Sequence, residues 1–441
     1  MKKWFRAAAA VTAAVMLLSF ACFAGDFTVL ADELHSMKMF MGTDAGYDLD
    51  KTPTRAQAAV MLVRLLGQEE QAKADYAAGK ITHSYVDATM DWAAPAVAYM
   101  YANGLTNGMG KNAKGQDVFG TYGDCSAQMY CTFLLRALGY QDQGTQPDFA
   151  YANAIEFAKQ KGIVEDVLLS QPFTRDSVVA ASYQTLSLPV RDGSGLLLEK
   201  LIASGAVDAD AAAATLAKMK AFRNASGAAQ KLDGLTAVDL TMDVETTIGT
   251  PLNLDSSIRT QIQYVAGDAL QYALTVEMGS AGQAMQGGQW YKDGWLYTMD
   301  VLGNATKTQA AFAPEELEST ISQTDSDTEN LYMLGDWTCR TENGKTICSG
   351  RLSARFYDEI RRQTEAQFTG TGLTVAIDDV TYEYTLAEDG TLLSLVTAVD
   401  MTVSSEGTEI PARSVVTLTV NATGDQVVVN YPDLSQFTEA Q

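Results

Sequence analysis

The 441-residue sequence predicts a multidomain α+β protein, with an all-α N-terminal part and an antiparallel β-sheet in the C-terminal part. Two observations lead to this prediction. Altered copies of one amphipathic helical motif recur before residue 191, whereas from about Lys231 apolar residues occupy every second position. Hydrophobic residues make up 47% of the chain, which is enough for a packed core in each part.

Residues 1–24 have the form of an export signal. Three basic residues precede an apolar run that ends at Phe20, and small residues follow it. We expect cleavage after Ala24, because cleavage after Ala31 would divide the first helical repeat. Lipidation of Cys22 is the less favoured alternative, since the preceding residues lack the leucine of a lipoprotein signal. No later apolar run has the length of about 20 residues that a transmembrane helix needs.

The recurring motif is a capped helix, and its clearest copy covers residues 54–67. Thr54 and Gln57 have the spacing of a capping box, in which two side chains satisfy amides at the helix start. Apolar residues then recur at helical spacing, and Gly67 favours a helix end. The motif therefore predicts an amphipathic helix with both ends defined.

Two more copies follow at uneven intervals. The second is offset by 72 positions, so that Arg136 corresponds to Arg64, and the third begins at Thr174 with an offset of 120. A further helix is predicted before each copy, which gives units of helix, loop and capped helix. Such short units cannot bury their apolar faces alone, so we expect them to pack into one body. They cover about residues 26–67, 84–139 and 148–191.

Several motifs in these units resemble the S-layer homology (SLH) family. The resemblance rests on Tyr85-Val86-Asp87, on the Gly104-Leu105-Thr106 loop, and on the Thr-Arg start and Leu-Gly finish of the capped helices. It covers residues 26 to 191, under half of the chain. It implies a three-repeat helical bundle within residues 25–191 that attaches a secreted protein, without a covalent bond, to a secondary cell-wall polysaccharide.

The resemblance also implies a binding site for an acidic, typically pyruvylated, sugar. In that family the arginine of the Thr-Arg pair lines a groove between repeats, where its planar fork can bind a carboxylate. The second repeat has Ala127 in place of this arginine, so we expect at least one groove not to bind the sugar. Trp92 is a further candidate for contact with the sugar, although a buried position in the core is the favoured alternative for it. The candidate polymer-binding residues are Thr54, Arg55, Trp92, Thr174 and Arg175.

Residues 192–230 predict a helical connector and a linker. The connector is the alanine-rich stretch that begins at Leu196 and is interrupted at Gly205, and the linker is residues 224–230. Residues 68–83, between the first two repeats, are interpreted as an insertion with no catalytic or binding role.

Residues 231–441 predict an antiparallel sheet with two helices that cover it. Apolar and polar residues alternate in several stretches, as expected for strands with one wet face. The helices are expected near residues 314–322 and from about Leu352 to Phe368. Three dipeptides predict two-residue hairpin turns, because their residues accept positive φ angles: Asp293-Gly294, Asn343-Gly344 and Asp389-Gly390.

This order of elements, with the aromatic stretch at residues 289–297, resembles the half-barrel-like fold of bacterial lipoprotein carriers and mycobacterial glycolipid-binding lipoproteins. The resemblance implies that an apolar small molecule or lipid could be held between sheet and helices. Aromatic residues also fill ordinary cores, so both interpretations stay open. The candidate residues at the mouth of such a cavity are Trp290, Tyr291, Trp295 and Tyr297.

Two cysteines are predicted to form a cross-strand disulfide. With Asn343-Gly344 as the turn, counting outward places Cys339 opposite Cys348, where the β-carbons of paired residues approach closely. Cys125 and Cys131 lie on one helix and should stay unpaired with each other.

Composition and motif content narrow the function. The net charge of -23 disfavours nucleic acid as a partner, and the two histidines, His35 and His83, have no metal or triad spacing. No cofactor, metal site or enzyme activity is expected. The sequence therefore predicts a non-enzymatic protein at the bacterial cell surface, bound to the wall. The alternatives are an extracellular carrier or sensor of an apolar ligand and, less favoured, a wall-bound hydrolase.

Overall fold

The computed structural model describes most of the chain from Phe27 to Ala440. The described residues form two compact units, a helical one comprising residues 27–220 and 330–333, and a sheet unit comprising the rest. The predicted export signal, the helix predicted at residues 314–322 and most of the helix predicted at residues 352–368 lie outside the described residues. The residues that the structure describes are 27–43, 46–169, 172–232, 235–250, 253–267, 269–280, 283–309, 330–353, 356–357, 373–405 and 408–440.

Three helix pairs follow the three predicted repeats in the helical unit. The second helix of each pair starts at the predicted residue. In the first pair the predicted capping box is present, since Thr54 Oγ1 accepts from the Gln57 N–H (3.3 Å) and Gln57 Oε1 accepts from the Thr54 N–H (2.9 Å). The pairs are α1 (Thr28–Ser36) with α2 (Arg55–Leu65), α4 (Ala94–Ala102) with α5 (Ala127–Ala137), and α6 (Ala154–Gln160) with α7 (Arg175–Leu186).

The starts of α2 and α7 make equivalent backbone contacts. The N–H of Arg55 donates to the carbonyl of Gly123, and that of Arg175 donates to the carbonyl of Lys51, both at 2.8 Å. The two acceptors are 72 positions apart (123 − 51 = 72), which equals the offset between the first two repeats. The capped helix of the first repeat thus meets the loop of the second, and that of the third meets the loop of the first.

Three further helices complete the described helical part of the chain. Residues 68–83, expected to be an insertion without chemistry, contain α3 (Glu69–Ala77). Helices α8 (Leu197–Ala203) and α9 (Ala209–Gln230) follow the third repeat. The prediction of a linker at residues 224–230 is wrong, because these residues are the last turns of α9, where Ala225 and Ala228 are buried.

A short segment from the second half of the chain belongs to the helical unit. Asn330, Leu331 and Tyr332 are all buried there. The Gln184 side chain on α7 holds them, since its Nε2 donates to Asn330 Oδ1 (3.1 Å) and its Oε1 accepts from the Leu331 N–H (3.0 Å). Nothing in the sequence periodicity had indicated this attachment.

Twelve strands among the described residues, numbered in chain order, form one sheet in the sheet unit. They are Ala237–Ile248 (β1), Leu254–Val265 (β2), Gln271–Ser280 (β3), Gln283–Lys292 (β4), Trp295–Met299 (β5), Ala305–Gln309 (β6), Leu334–Glu342 (β7), Lys345–Leu352 (β8), Leu373–Leu386 (β9), Leu392–Ser405 (β10), Thr408–Thr423 (β11) and Thr438–Glu439 (β12). The order in the sheet is β12-β6-β5-β4-β3-β2-β1-β11-β10-β9-β8-β7, so that β1 pairs with β2 on one side and β11 on the other. All pairs are antiparallel except β12 with β6, which is parallel, so the predicted antiparallel sheet is a mixed one.

Two of the three predicted hairpin turns have the expected geometry. Both residues of Asp293-Gly294 and of Asn343-Gly344 have positive φ, as a primed turn requires. At Asp389-Gly390 only the glycine does, and the loop closes by a bond from the Ala387 N–H to the Thr391 carbonyl, so the two-residue turn predicted there is wrong. Leu352 is the last residue of β8, so it cannot begin a helix.

Candidate functional site

Arg55 is the first residue of α2, and its side chain is buried between two aromatic rings. Its Cζ atom lies 4.8 Å from the ring centre of Phe119 and 5.0 Å from that of Phe133. Its Nη2 donates to Thr106 Oγ1 over a long 3.4 Å, and only 5% of the residue is exposed. Thr106 belongs to the Gly-Leu-Thr loop, so two of the sequence motifs meet at this arginine.

The guanidinium of Arg55 has no carboxylate partner among the residues that the structure describes. Its Nε atom is buried and without a hydrogen-bond partner there. Burial lowers the pKa of Arg55, because it removes the charged guanidinium from water. A buried cation without a counter-ion is costly, because folding normally pairs or solvates such groups.

A cleft of about 320 Å³ opens beside Arg55. Its walls come from all three repeats, and they mix amide, aromatic and thioether side chains. Tyr151 and Met109 are about half exposed, at 45% and 51%. Besides Arg55, the lining residues are Asn107, Gly108, Met109, Met129, Thr132, Phe133, Arg136, Asp142, Gln143 and Tyr151.

A second arginine in the cleft is already neutralised. Arg136 forms a two-bond ion pair with Asp142, with Nε to Oδ1 at 3.0 Å and Nη2 to Oδ2 at 2.6 Å. Its Nη1 donates to the carbonyl of Leu105 at 3.0 Å. In the sequence Arg136 stood out only as the counterpart of Arg64, and its place in the cleft was not foreseen. Arg55 is therefore the uncompensated charge among the described residues that line the cleft.

Asp87, from the Tyr-Val-Asp motif, holds the loop that supports Arg55. Its carboxylate accepts from the backbone N–H groups of Phe119 (2.7 Å), Gly120 (2.8 Å) and Thr121 (3.0 Å). Burial by itself would raise the pKa of Asp87, and the hydrogen bonds from Phe119, Thr121 and Gly120 outweigh it, so the pKa is lowered. Asp87 thus positions the Phe119 ring against Arg55 without contacting the cleft.

Arg175, the counterpart of Arg55 in the third repeat, is in a different setting. It is also buried and lies over an aromatic ring, with Cζ 5.2 Å from the ring centre of Phe40. Its Nε, however, donates to the carbonyl of Tyr47 at 2.8 Å. Burial lowers the pKa of Arg175, and the negative charge of Asp48 partly opposes that shift. The chain around Arg175 thus supplies a backbone acceptor for its Nε, which Arg55 lacks.

The other predicted polymer-binding residues do not line this cleft. Thr54 is occupied as the cap of α2, and Thr174 is the N-cap residue of α7 without a side-chain cap bond. The core position favoured for Trp92 is wrong, because 51% of it is exposed. It lies in the turn before α4, where the next residues, Ala93 and Ala94, occupy the buried positions instead.

The aromatic hairpin of the sheet unit is covered by the chain itself. Trp290 is only 4% exposed, so the expectation that it lies open at a cavity mouth is wrong. Phe437 packs edge-on against both Trp290 and Tyr297, with ring centres 5.9 Å and 5.5 Å apart. Val429 joins the same cluster. The C-terminal segment, residues 427–440, thus covers Trp290 and packs against Tyr297.

The remaining two aromatics have polar neighbours. The carbonyl of Tyr291 accepts from the hydroxyl of Tyr431 at 3.1 Å, and Lys307 Nζ lies 4.8 Å from the ring centre of Trp295. Both aromatic residues are half-buried. The four predicted aromatics therefore lie on one hairpin, where two of them pack against Phe437 and the other two have polar neighbours.

The predicted disulfide is present, and the other described cysteines are free. Cys339 and Cys348 are paired residues of β7 and β8, with their Cα atoms 4.1 Å apart. Cys125 and Cys131 are buried and unpaired, and burial raises the pKa of each thiol to about 12. Within the described ranges no group of three or more His, Cys, Asp or Glu residues could hold a metal ion. None of the described helices combines the length and hydrophobicity of a membrane span.

Comparisons with known proteins do not identify this chain. No protein-family model and no curated protein matches it. Among solved structures it is similar to LprF from Mycobacterium bovis, at 13% identity, a TM-score of 0.26, and coverage of 48% of this chain and 97% of that one. It is also similar to a putative outer membrane lipoprotein-sorting protein domain from Vibrio parahaemolyticus, at 12% identity and a TM-score of 0.13. That match covers 49% of this chain and 97% of the Vibrio chain. TM-scores this low do not support a conclusion about the fold or the function of this chain.

Proposed function

We propose that the protein attaches to the bacterial cell wall by binding an acidic sugar of a secondary wall polymer in the Arg55 cleft. The observation that supports this proposal most strongly is the buried Arg55 guanidinium, which lines an open cleft and lacks a carboxylate partner among the described residues. A carboxylate bound in the cleft would supply the counter-ion that the guanidinium lacks. The motif residues of the SLH resemblance surround the same arginine.

The charge of the whole chain fits a local site better than a broad one. At a net charge of -23, long-range attraction cannot recruit a polyanion. Binding must then depend on short-range contacts to one charged group, together with neutral contacts to the rest of the sugar. Asn107 and Gln143 offer amide groups for hydroxyls, and the half-exposed Tyr151 offers a ring face.

Calorimetric titration of the full chain tests the proposal. The probe is a methyl hexoside that carries one pyruvate ketal, and the same hexoside without the ketal is the negative control. Arg55→Met removes the charge and keeps an apolar stem of similar length between the two rings. We expect it to weaken binding by about 1.5 to 3 kcal/mol, the range for hydrogen bonds to charged groups, or roughly 10- to 100-fold.

Lys114→Met is the matched control, because it removes one positive charge from an exposed loop outside the cleft. It should leave the affinity unchanged. Equal affinities for the two variants, or equal binding of the two hexosides, would contradict the proposal.

A further inference from the structure

We infer that the Arg55 cleft selects an anion with a single negative charge, and that Asp142 sets this selectivity by neutralising Arg136. The inference rests on the proposed function and deepens it, since it names the charge class of the ligand and the residue that determines it. It starts from the charged side chains that line the cleft.

Two arginines and one aspartate are the charged residues among the described lining of the cleft, which leaves it with one net positive charge. The Arg136–Asp142 pair is closed to water, because only 8% and 10% of the two side chains are exposed. Both Asp142 oxygens accept from Arg136, and a third N–H of Arg136 donates to the Leu105 carbonyl. The charge of Arg136 is thus balanced within the protein, whereas that of Arg55 is not.

This charge balance favours a singly charged ligand. The cost of removing an anion from water grows with the square of its charge, whereas its attraction to one guanidinium grows only in proportion to the charge. One negative charge on the ligand would make the cleft neutral, and a second would have no partner in it. A carboxylate, such as that of a pyruvate ketal, therefore fits the cleft better than a sulfate or a phosphate monoester.

Asp142 controls this balance, because its removal would leave the charge of Arg136 uncompensated in the same cleft. Arg136 already acts on Arg55: burial is the main cause of the lowered pKa of Arg55, and the charge of Arg136 lowers it further. A ligand anion beside Arg55 would be attracted by Arg136 in the same way. Neutralising Asp142 adds one positive charge to the cleft, and the added attraction is twice as large for a dianion as for a monoanion.

Acetate and sulfate are the probes, so that the test does not depend on the sugar. Each is titrated into the full chain at constant ionic strength and neutral pH, while the guanidinium N–H resonances of Arg55 are followed by NMR. Wild type should bind acetate more tightly than sulfate. Asp142→Asn should shift the ratio of the two dissociation constants by about tenfold or more in favour of sulfate. Asp91→Asn removes the same charge from an exposed residue outside the cleft lining, and it should keep the wild-type ratio.

A double variant separates the effect of charge from local damage around the unpaired Arg136. Arg136→Gln combined with Asp142→Asn returns the cleft to one net positive charge, so the ratio should return towards that of wild type. The inference is overturned by an unchanged ratio in Asp142→Asn or by a shift that persists in the double variant. A wild-type preference for sulfate, or no response of Arg55 to either anion, overturns it as well. If the anions behave as expected but the ketal hexoside does not bind, the charge selectivity stands and the proposed function fails.

Discussion

Arg55 and Arg175 occupy the same position in two copies of one motif, yet only the surroundings reveal how they differ. From the sequence, both start a capped helix and both follow a threonine. Arg175 Nε finds its acceptor in the carbonyl of Tyr47, 128 positions earlier (175 − 47 = 128), whereas Arg55 Nε has no partner within the described chain. A local motif carries no information on such distant partners, so the sequence predicted two equivalent candidate sites.

Asp87 allows a prediction at the same scale. Its carboxylate accepts three backbone N–H groups, and an asparagine can supply only one carbonyl oxygen while its NH₂ group faces a donor. We expect Asp87→Asn to lower the free energy of unfolding by about 1 to 3 kcal/mol at pH 7. It should also weaken binding in the cleft, because the loop that carries Phe119 loses its support.

The pH dependence of this effect has a defined sign. The pKa of Asp87 is lower in the folded protein, so its stabilisation is present above the unfolded pKa of about 4 and is lost as the pH falls through the folded pKa. Denaturant titrations at pH 7 and at about pH 3 should therefore show a smaller difference between wild type and Asp87→Asn at the acid pH. A difference that is constant with pH would argue against this role of the carboxylate.

At the scale of elements, regular periodicity predicted most of what the structure describes. The helix pairs, the first capping box, the alternating strands and the Cys339–Cys348 bond follow from spacing within one segment. The errors came from long-range packing. Residues 224–230 have the composition of a linker but become helical where their alanines are buried, and the attachment of residues 330–333 to Gln184 has no local signal.

The C-terminal segment offers a test of how the sheet unit covers its apolar face. Phe437 is buried against Trp290 and Tyr297, and β12 after it pairs with β6 over only two residues. We expect Phe437→Ala to release the segment locally, since truncation of a buried phenylalanine costs about 3 kcal/mol or more. Amide hydrogen exchange in residues 428–440 should become roughly 100-fold faster.

Val428→Ala is the control for this variant, because Val428 lies in the same segment and is 67% exposed. It should leave exchange unchanged. Slow exchange that persists in Phe437→Ala would mean that the segment is held by something other than its aromatic contact, and the covered face would need another explanation.

At the scale of the whole molecule, a chain with 54 acidic and 31 basic residues is proposed to bind an acid. Burial explains how this is possible, since a charge in a cleft of low dielectric interacts strongly with a ligand charge beside it and is weakly screened by salt. We therefore expect binding to depend little on bulk ionic strength and strongly on one guanidinium. A site spread over surface lysines would behave in the opposite way.

Co-sedimentation of the full chain with purified cell walls tests the central claim most directly. Wild type and Lys114→Met should sediment with the walls, whereas Arg55→Met should stay in the supernatant. Removal of the ketal groups from the walls by mild acid, followed by neutralisation, should abolish sedimentation of wild type as well. Retention of Arg55→Met at the wild-type level on walls with and without their ketals would contradict the claim that this arginine attaches the protein to an acidic wall sugar.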